Sequence, residues 1–533
     1  MALYSPSIWL HLLLLLLPLM FLIKRKIELK GQKKPLPPGP TKLPIIGNLH
    51  QLGALPHYSL WQLSKKYGSI MLLQLGVPTV VVSSAEAARE FLKTHDIDCC
   101  SRPPLVGLGK FSYNHRDISF APYGDYWREV RKICVLEVFS TKRVQSFQFI
   151  REEEVALLID SIVQSSSSGS PIDLTERLMS LTANIICRIA FGKSFQASEF
   201  GDGRFQEVVH EAMALLGGFT AADFFPYVGR IVDRLTGLHG RLERSFHEMD
   251  GFYQQVIEDH LNPGRVKEEH EDIIDVLLRI EREQSESSAL QFTKDNAKAI
   301  LMDLFLAGVD TGAITVAWAM TELARNPGIM KKAQTEVRSS IGNKGKVTES
   351  EVDQLHYLKM VVKETLRLHP PVPLLLPRET MSHFEINGYH IYPKTQVHVN
   401  VWAIGRDPNL WKNPEEFLPE RFMDNSVDFR GQHFELLPFG AGRRICPGMF
   451  MDNSVDFRGQ HFELLPFGAG RRICPGMYMA IATVELALAN LLYRFNWNLP
   501  NGMREADINM EEAAGLTVRK KFALNLVPIL HHC

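Results

Sequence analysis

The sequence predicts a mainly α fold with a minor β region. Three observations carry that reading. Long runs with 3.6-residue apolar periodicity and few prolines fill most of the chain. Runs of β-branched residues are confined to two stretches. At 533 residues and 45% apolar content, the chain is long enough to bury one large core. A formal net charge of −1 supports no nucleic-acid partner.

From Ile8 to Ile23 the chain is almost entirely Leu, Ile, Met, Phe and Trp, and with Ala2–Ser7 it reaches the roughly 20 residues that a bilayer span needs. A signal peptide would show a basic stretch before this segment and a small-residue cleavage site after it. Neither is present, and Lys24, Arg25, Lys26, Lys30, Lys33 and Lys34 follow instead. Residues 1–23 are therefore expected to be an uncleaved anchor in contact with membrane lipid, with the body on the cytosolic side. His11 and Pro18 are minor blemishes in that helix. Residues 24–40 then form a basic stretch and a hinge, PLPPGP, whose prolines hold the backbone extended. Residues 41–533 read as one domain, because no linker is longer than the polar stretch Gln164–Ser170.

Within that domain, Ser69–Ser83 reads as a hairpin around Gly76–Pro78, and Phe384–Val399 as a second small strand region. Helices are expected over Lys142–Val163, Leu238–His260, Thr293–Arg325 and Val352–Leu368. A further helix is expected from Met477 to Phe495, a run free of Gly and Pro and rich in Ala and Leu.

The seven cysteines are odd in number and scattered, which suits a reducing compartment better than a disulfide framework. Free buried thiols are the plain reading for Cys99, Cys100, Cys134, Cys187 and Cys533. Cys474 differs, because Phe467–Gly476, FGAGRRICPG, sets it on a Gly- and Arg-rich loop directly before the Met477 helix. Backbone N–H groups at a helix N-terminus lower a thiol's pKa, and a thiolate so held can ligate haem iron.

A second cysteine competes for that role. Met423–Phe450 recurs as Met451–Tyr478 with a single Phe-to-Tyr difference, so Cys446 sits on a copy of the same loop. After Cys446 come Asp452, Asn453, Ser454 and Gly459, which form turns; after Cys474 comes the helix. Lengthening the Arg421-to-Phe467 connection from 18 to 46 residues costs only about 0.8 kcal/mol of loop-closure entropy. Cys474 is thus the expected metal ligand, Cys446 the alternative, and 423–450 the looped-out copy.

The loop resembles the haem-binding signature of the cytochrome P-450 monooxygenases, with Phe467, Gly470, Arg472, Cys474 and Gly476 at the family's spacing. The similarity runs from the PPGP hinge to the C-terminus and is closest to plant membrane-bound members of specialised metabolism, as LPIIGNLHQLG and FLAGVDT indicate. It implies the cytochrome P-450 fold with one N-terminal transmembrane helix, and haem b as cofactor. It also implies insertion of one atom of dioxygen into a lipophilic small molecule, with electrons from NADPH through a separate NADPH-cytochrome P-450 reductase and cytochrome b5 as a further candidate partner. The implied location is the endoplasmic reticulum membrane, with the catalytic domain cytosolic.

By the same resemblance, Asp310 and Thr311 of AGVDT would relay protons toward dioxygen and Gly308 would leave room for it. The family often carries Thr or Ser where this chain has Gly312, so a supporting hydroxyl is missing. Glu364 and Arg367, with Arg421 of PERF, would lock the scaffold; alone, the first two would be a weak surface pair. Trp127, Arg131, Arg378 and Arg472 would hold the haem propionates, and Phe467 would flank the cofactor. Substrate contacts would come from Pro103–Phe120, Phe205–Pro226, Ala307, Val372–Leu376, Leu516 and Thr517. Two rival readings are a haem-thiolate isomerase or dehydratase that needs no reductase, and a haem-binding protein whose duplicated loop blocks turnover.

Overall fold

The computed structural model describes residues 35–423 and 470–531, apart from 168, 195–207, 209–210, 213, 216–219, 226–227, 266–269, 285–290, 473 and 501. The anchor, Phe467, Cys446 and Cys533 lie outside the described residues. Helices dominate, with short sheets at the periphery.

Five helices build the site: α1 (Asp125–Ile133), α2 (Leu174–Phe191), α3 (Lys294–Arg325), α4 (His356–Leu368) and α5 (Met477–Arg494). The central one is α3. It begins at a capping box, in which the Thr293 side chain and Asn296 satisfy each other's backbone ends, and it stops where Pro327 opens the next helix. Nearly every residue along it is buried, so its apolar run is core rather than a membrane span. Its flanks pack against α2, α4 and α5. Two glycines inside a helix this long each cost about 1 kcal/mol relative to Ala, so Gly308 and Gly312 call for a packing reason. That reason is the close approach of α2 described below.

The main sheet has strand order β1 (Ile70–Leu75), β2 (Val77–Val82), β4 (Gln396–Val399) and β3 (Arg378–Glu379). The hairpin turns at Gly76 with φ 71°, and a Cβ there would strike the Phe224 backbone. Strand β2 runs parallel to β4, with Val80 opposite Val397, and β3 pairs antiparallel with β4 through Arg378 and Val397. This pairing brings Arg378 to the site.

Most predicted elements appear within a few residues of their expected bounds. The Lys142–Val163 run divides into Thr141–Ser146 and Gln148–Ser166. At the break Phe147 is buried, and Arg151 turns back to the Val144 carbonyl while pairing with both oxygens of Glu349. The Val352–Leu368 run yields a short capped turn, Glu349–Val352, before α4. A sheet of Ile172–Asp173, Asn525–Leu530 and Phe495–Asn498 was not expected. Its strands are short and pair across long sequence separations, so local pattern does not announce them.

Candidate active site

On α3 the buried pattern is interrupted at Ala307, Gly308 and Thr311, which open into an internal cavity. Cys474, Pro475, Gly476 and Met479 line the same cavity. Leu304, Val372, Leu375, Leu376 and Leu516 make its remaining surface largely aliphatic. The Thr311 hydroxyl donates to the Ala307 carbonyl at 2.6 Å. Asp310 is buried behind that face and does not line the cavity. Its carboxylate accepts from the hydroxyl of Thr517, which does. The acid therefore reaches the cavity through Thr517.

Gly308 lines the cavity and also admits a neighbouring helix: a Cβ on it would lie 2.6 Å from Ile186 Cδ1 of α2. At Gly312 the nearest atom is Thr182 Cγ2, 3.3 Å from an ideal Cβ.

Among the described cysteines, Cys99, Cys100, Cys134 and Cys187 are buried, whereas Cys474 is partly open, on the cavity side. Burial pushes Cys99 up to about 12 and Cys100 up to about 11, which leaves both as inert thiols. Burial also raises Cys474, but the N–H groups of Gly476 and Met477 and the charge of Arg131 pull it back. Those amides belong to the start of α5, which runs unbroken for 18 residues. A metal cation facing this sulfur would complete the ionisation that the amides begin.

Four guanidinium side chains, Arg102, Arg131, Arg378 and Arg472, line the cavity together. Burial, with repulsion from Arg378 and Arg131, draws Arg472 down to about 9. Burial and the charges of Arg472 and Arg378 hold Arg102 well below its ordinary value. Burial alone would lower Arg378, but Asp96, 2.8 Å away, together with the Cys99 and Cys100 sulfurs holds it above its ordinary value. So many cations on one buried wall call for a buried anion, and two carboxylates would meet that need. A haem with its iron toward Cys474 and its propionates toward these arginines fits this donor set. Trp127 differs from expectation: its indole N–H donates to the Ile118 carbonyl at 2.9 Å, and its ring lies 4.0 Å beneath Arg472. It supports an arginine rather than lining the cavity.

The scaffold residues meet as expected. Glu364 and Arg367 are fully buried and bonded at 2.7 and 2.8 Å, and Arg421 reaches the same carboxylate at 2.9 Å. Arg367 also donates to the carbonyls of Gly405, Pro414 and Glu416. One side chain thereby pins the segment that leads to PERF.

Sequence reasoning missed Arg102, the α2 residues Thr182, Ile185 and Ile186, and Asp303 on the cavity wall. Asp303 accepts from the Ile118 and Ser119 N–H groups, and buried Asp117 beside it accepts from the Phe120 N–H. Burial raises both carboxyls, and the charge of Asp303 raises Asp117 further while Asp117 eases Asp303 back, so the pair holds a proton on the Asp117 side. Of the expected substrate contacts, 118–120, Ala307, Val372, Leu375, Leu376, Leu516 and Thr517 line the cavity. Much of Phe205–Pro226 lies outside the described residues.

A helical body with a cysteine at a helix start, facing a Thr-bearing helix across an arginine-rimmed cavity, defines a haem-thiolate monooxygenase. The Cytochrome P-450 family profile matches residues 37–452 and 447–526, two overlapping pieces that divide at the duplication. Cytochrome P-450 71B35 of Arabidopsis thaliana is 53% identical over 521 residues, covering 96% of this chain and 98% of the relative. Cytochrome P-450 71B34 of the same plant is 54% identical over 493 residues, covering 92% and 93%. A zebrafish cytochrome P-450 solved with abiraterone shares the fold at a TM-score of 0.70 and 24% identity, covering 90% of this chain and all of that one. The chain belongs to the cytochrome P-450 family, whose cofactor is haem b and whose electrons come from NADPH through a redox partner.

Proposed function

We propose that this chain is a plant monooxygenase of specialised metabolism, anchored by residues 1–23 in the endoplasmic reticulum membrane, with domain 41–533 in the cytosol. Its Cys474 ligates the haem iron. NADPH-cytochrome P-450 reductase supplies the electrons, with cytochrome b5 as a second candidate donor. A lipophilic molecule RH, dioxygen, NADPH and one proton give ROH, water and NADP+. One observation carries this reading: Cys474 and Thr311 open onto the same aliphatic cavity.

Haem held by thiolate supplies dioxygen activation, because the sulfur pushes electron density into the iron. The chain's own residues do the rest. Amides of Gly476 and Met477 stabilise the sulfur's negative charge. Arg102, Arg131, Arg378 and Arg472 take the propionates. Thr311, on the cavity wall, holds a hydroxyl proton against Ala307 O, and Asp310 with the Thr517 hydroxyl links a buried carboxylate to the same space. The aliphatic wall binds an apolar substrate and excludes bulk water.

The test is the carbon-monoxide difference spectrum of the reduced protein for Cys446→Ser and Cys474→Ser. Cys474→Ser is expected to lose the thiolate Soret band while Cys446→Ser keeps it. The reverse outcome would move the ligand to the upstream copy. Turnover with purified reductase and a panel of lipophilic substrates separates a monooxygenase from the two rivals, since an isomerase needs no NADPH and a blocked haem protein consumes none.

A further inference from the structure

Helices α2 and α3 meet where α3 carries no side chain at two successive turns. Ile186 fills the gap at Gly308 and Thr182 the gap at Gly312, each pair one helical turn apart. Because both glycines lack side chains, Thr182 is a cavity-lining residue although it stands on the neighbouring helix. It is 4% exposed, and its hydroxyl donates to the Val309 carbonyl across the helix boundary at 2.7 Å. Its alternative acceptors are the Leu178 and Met179 carbonyls of its own helix, both at 3.1 Å. A hydroxyl has one proton, and the shortest of the three contacts is the one to α3.

The accepting carbonyl belongs to the residue immediately before Asp310 and Thr311. A donor from outside draws that carbonyl away from its own helix and fixes the orientation of the turn that carries both. We propose that Thr182 is a positioning residue for the proton-delivering turn of α3, supplying from α2 the hydroxyl that Gly312 cannot. The inference rests on the reading of Asp310 and Thr311 as the proton-delivering pair. Its geometry explains why a glycine is compatible with function at 312. A Cβ there would lie 3.3 Å from Thr182 Cγ2, so one of the two would have to shift, whereas the pair Gly312 and Thr182 keeps one hydroxyl between the helices.

The experiment uses the full-length holoenzyme with purified reductase and reads two quantities for Thr182→Val, Thr182→Ser and Thr182→Ala. One is the fraction of NADPH electrons released as hydrogen peroxide; the other is amide hydrogen exchange over residues 309–313. Val keeps the volume without the hydroxyl, Ser keeps the hydroxyl, and Ala lacks the hydroxyl without adding bulk if Val misfolds. Retention of the carbon-monoxide band confirms that haem and thiolate are in place. Val and Ala are expected to raise the peroxide fraction and speed exchange by roughly two- to tenfold, the effect of one lost hydrogen bond, while Ser stays near the parent. Val and Ser behaving alike, or Val matching the parent in both readouts, would overturn the role of Thr182. Thr311→Ala serves as the control. If it fails to raise the peroxide fraction, the underlying assignment of Thr311 is wrong; if it does raise it and Thr182→Val does not, only the present inference falls.

Discussion

At the scale of single residues, the buried ion network around Glu364 decides whether the segment leading to PERF holds its place. Glu364 is fully buried and neutralises Arg367 and Arg421 while accepting the Leu418 N–H at 2.8 Å. Glu364→Ala would strand two guanidinium groups, and a broken buried pair of this kind costs about 3–5 kcal/mol. The expected outcome is loss of haem-loaded protein on expression, read as the ratio of Soret to protein absorbance. The Asp117–Asp303 pair makes a pH-dependent contribution. Both carboxyls have folded-state values above their unfolded ones, so the stability they contribute is present below the ordinary Asp value of about 3.9 and is lost as pH rises through the folded values. Asp117→Asn removes one of the two charges and lets an amide N–H face Asp303. Its thermal midpoint should therefore gain on the parent as pH rises from 4 toward 7, and a pH-independent difference would contradict the shared proton. Glu364 and Arg367 were legible in the sequence because they stand one turn apart on one helix. Arg102 and the Asp117–Asp303 pair were not, because their partners lie on elements far away in sequence.

Among elements, the α2–α3 contact governs the shape of the cavity roof. Gly308→Ala would place a methyl 2.6 Å from Ile186 Cδ1, and overpacking of this sort costs about 1–3 kcal/mol. Ile186→Ala removes the obstructing atoms, so the double variant should recover part of that loss. A double-mutant cycle on thermal midpoints is expected to give a coupling energy of roughly 0.5–3 kcal/mol, and strict additivity would show that the two side chains do not meet. Helix α3 was legible end to end, since its cap, its periodicity and its terminating proline all agree. What α3 leans on was not. A glycine in a helix reads the same whether it borders a cavity or admits another helix, and Gly308 does both, a role that only the position of Ile186 reveals. The break at Phe147 was hidden for a similar reason, because Arg151 and Glu349 impose it from a distance.

For the molecule as a whole, the 28-residue repeat is the feature that divides the family match into two overlapping pieces. Removing residues 423–450 restores a single copy, relieves about 0.8 kcal/mol of loop-closure entropy and leaves every described ion pair untouched. The deletion variant is expected to show the same carbon-monoxide band as the parent, with reductase-driven turnover equal to it or greater. A lost band would mean that the body depends on carrying both copies. The fold class was legible because helical periodicity over hundreds of residues and one cysteine loop point the same way. The small C-terminal sheet was not, being made of strands of a few residues held by distant partners. The described residues nearest the surplus copy are moored: Arg421 to Glu364 before it, and Arg471 to Asp96 and Arg472 to the Cys100 carbonyl within the copy that follows. For anyone building with this protein, those moorings mark a splice point. An epitope, a fluorophore or a tethered electron donor could replace the surplus copy between two anchored ends.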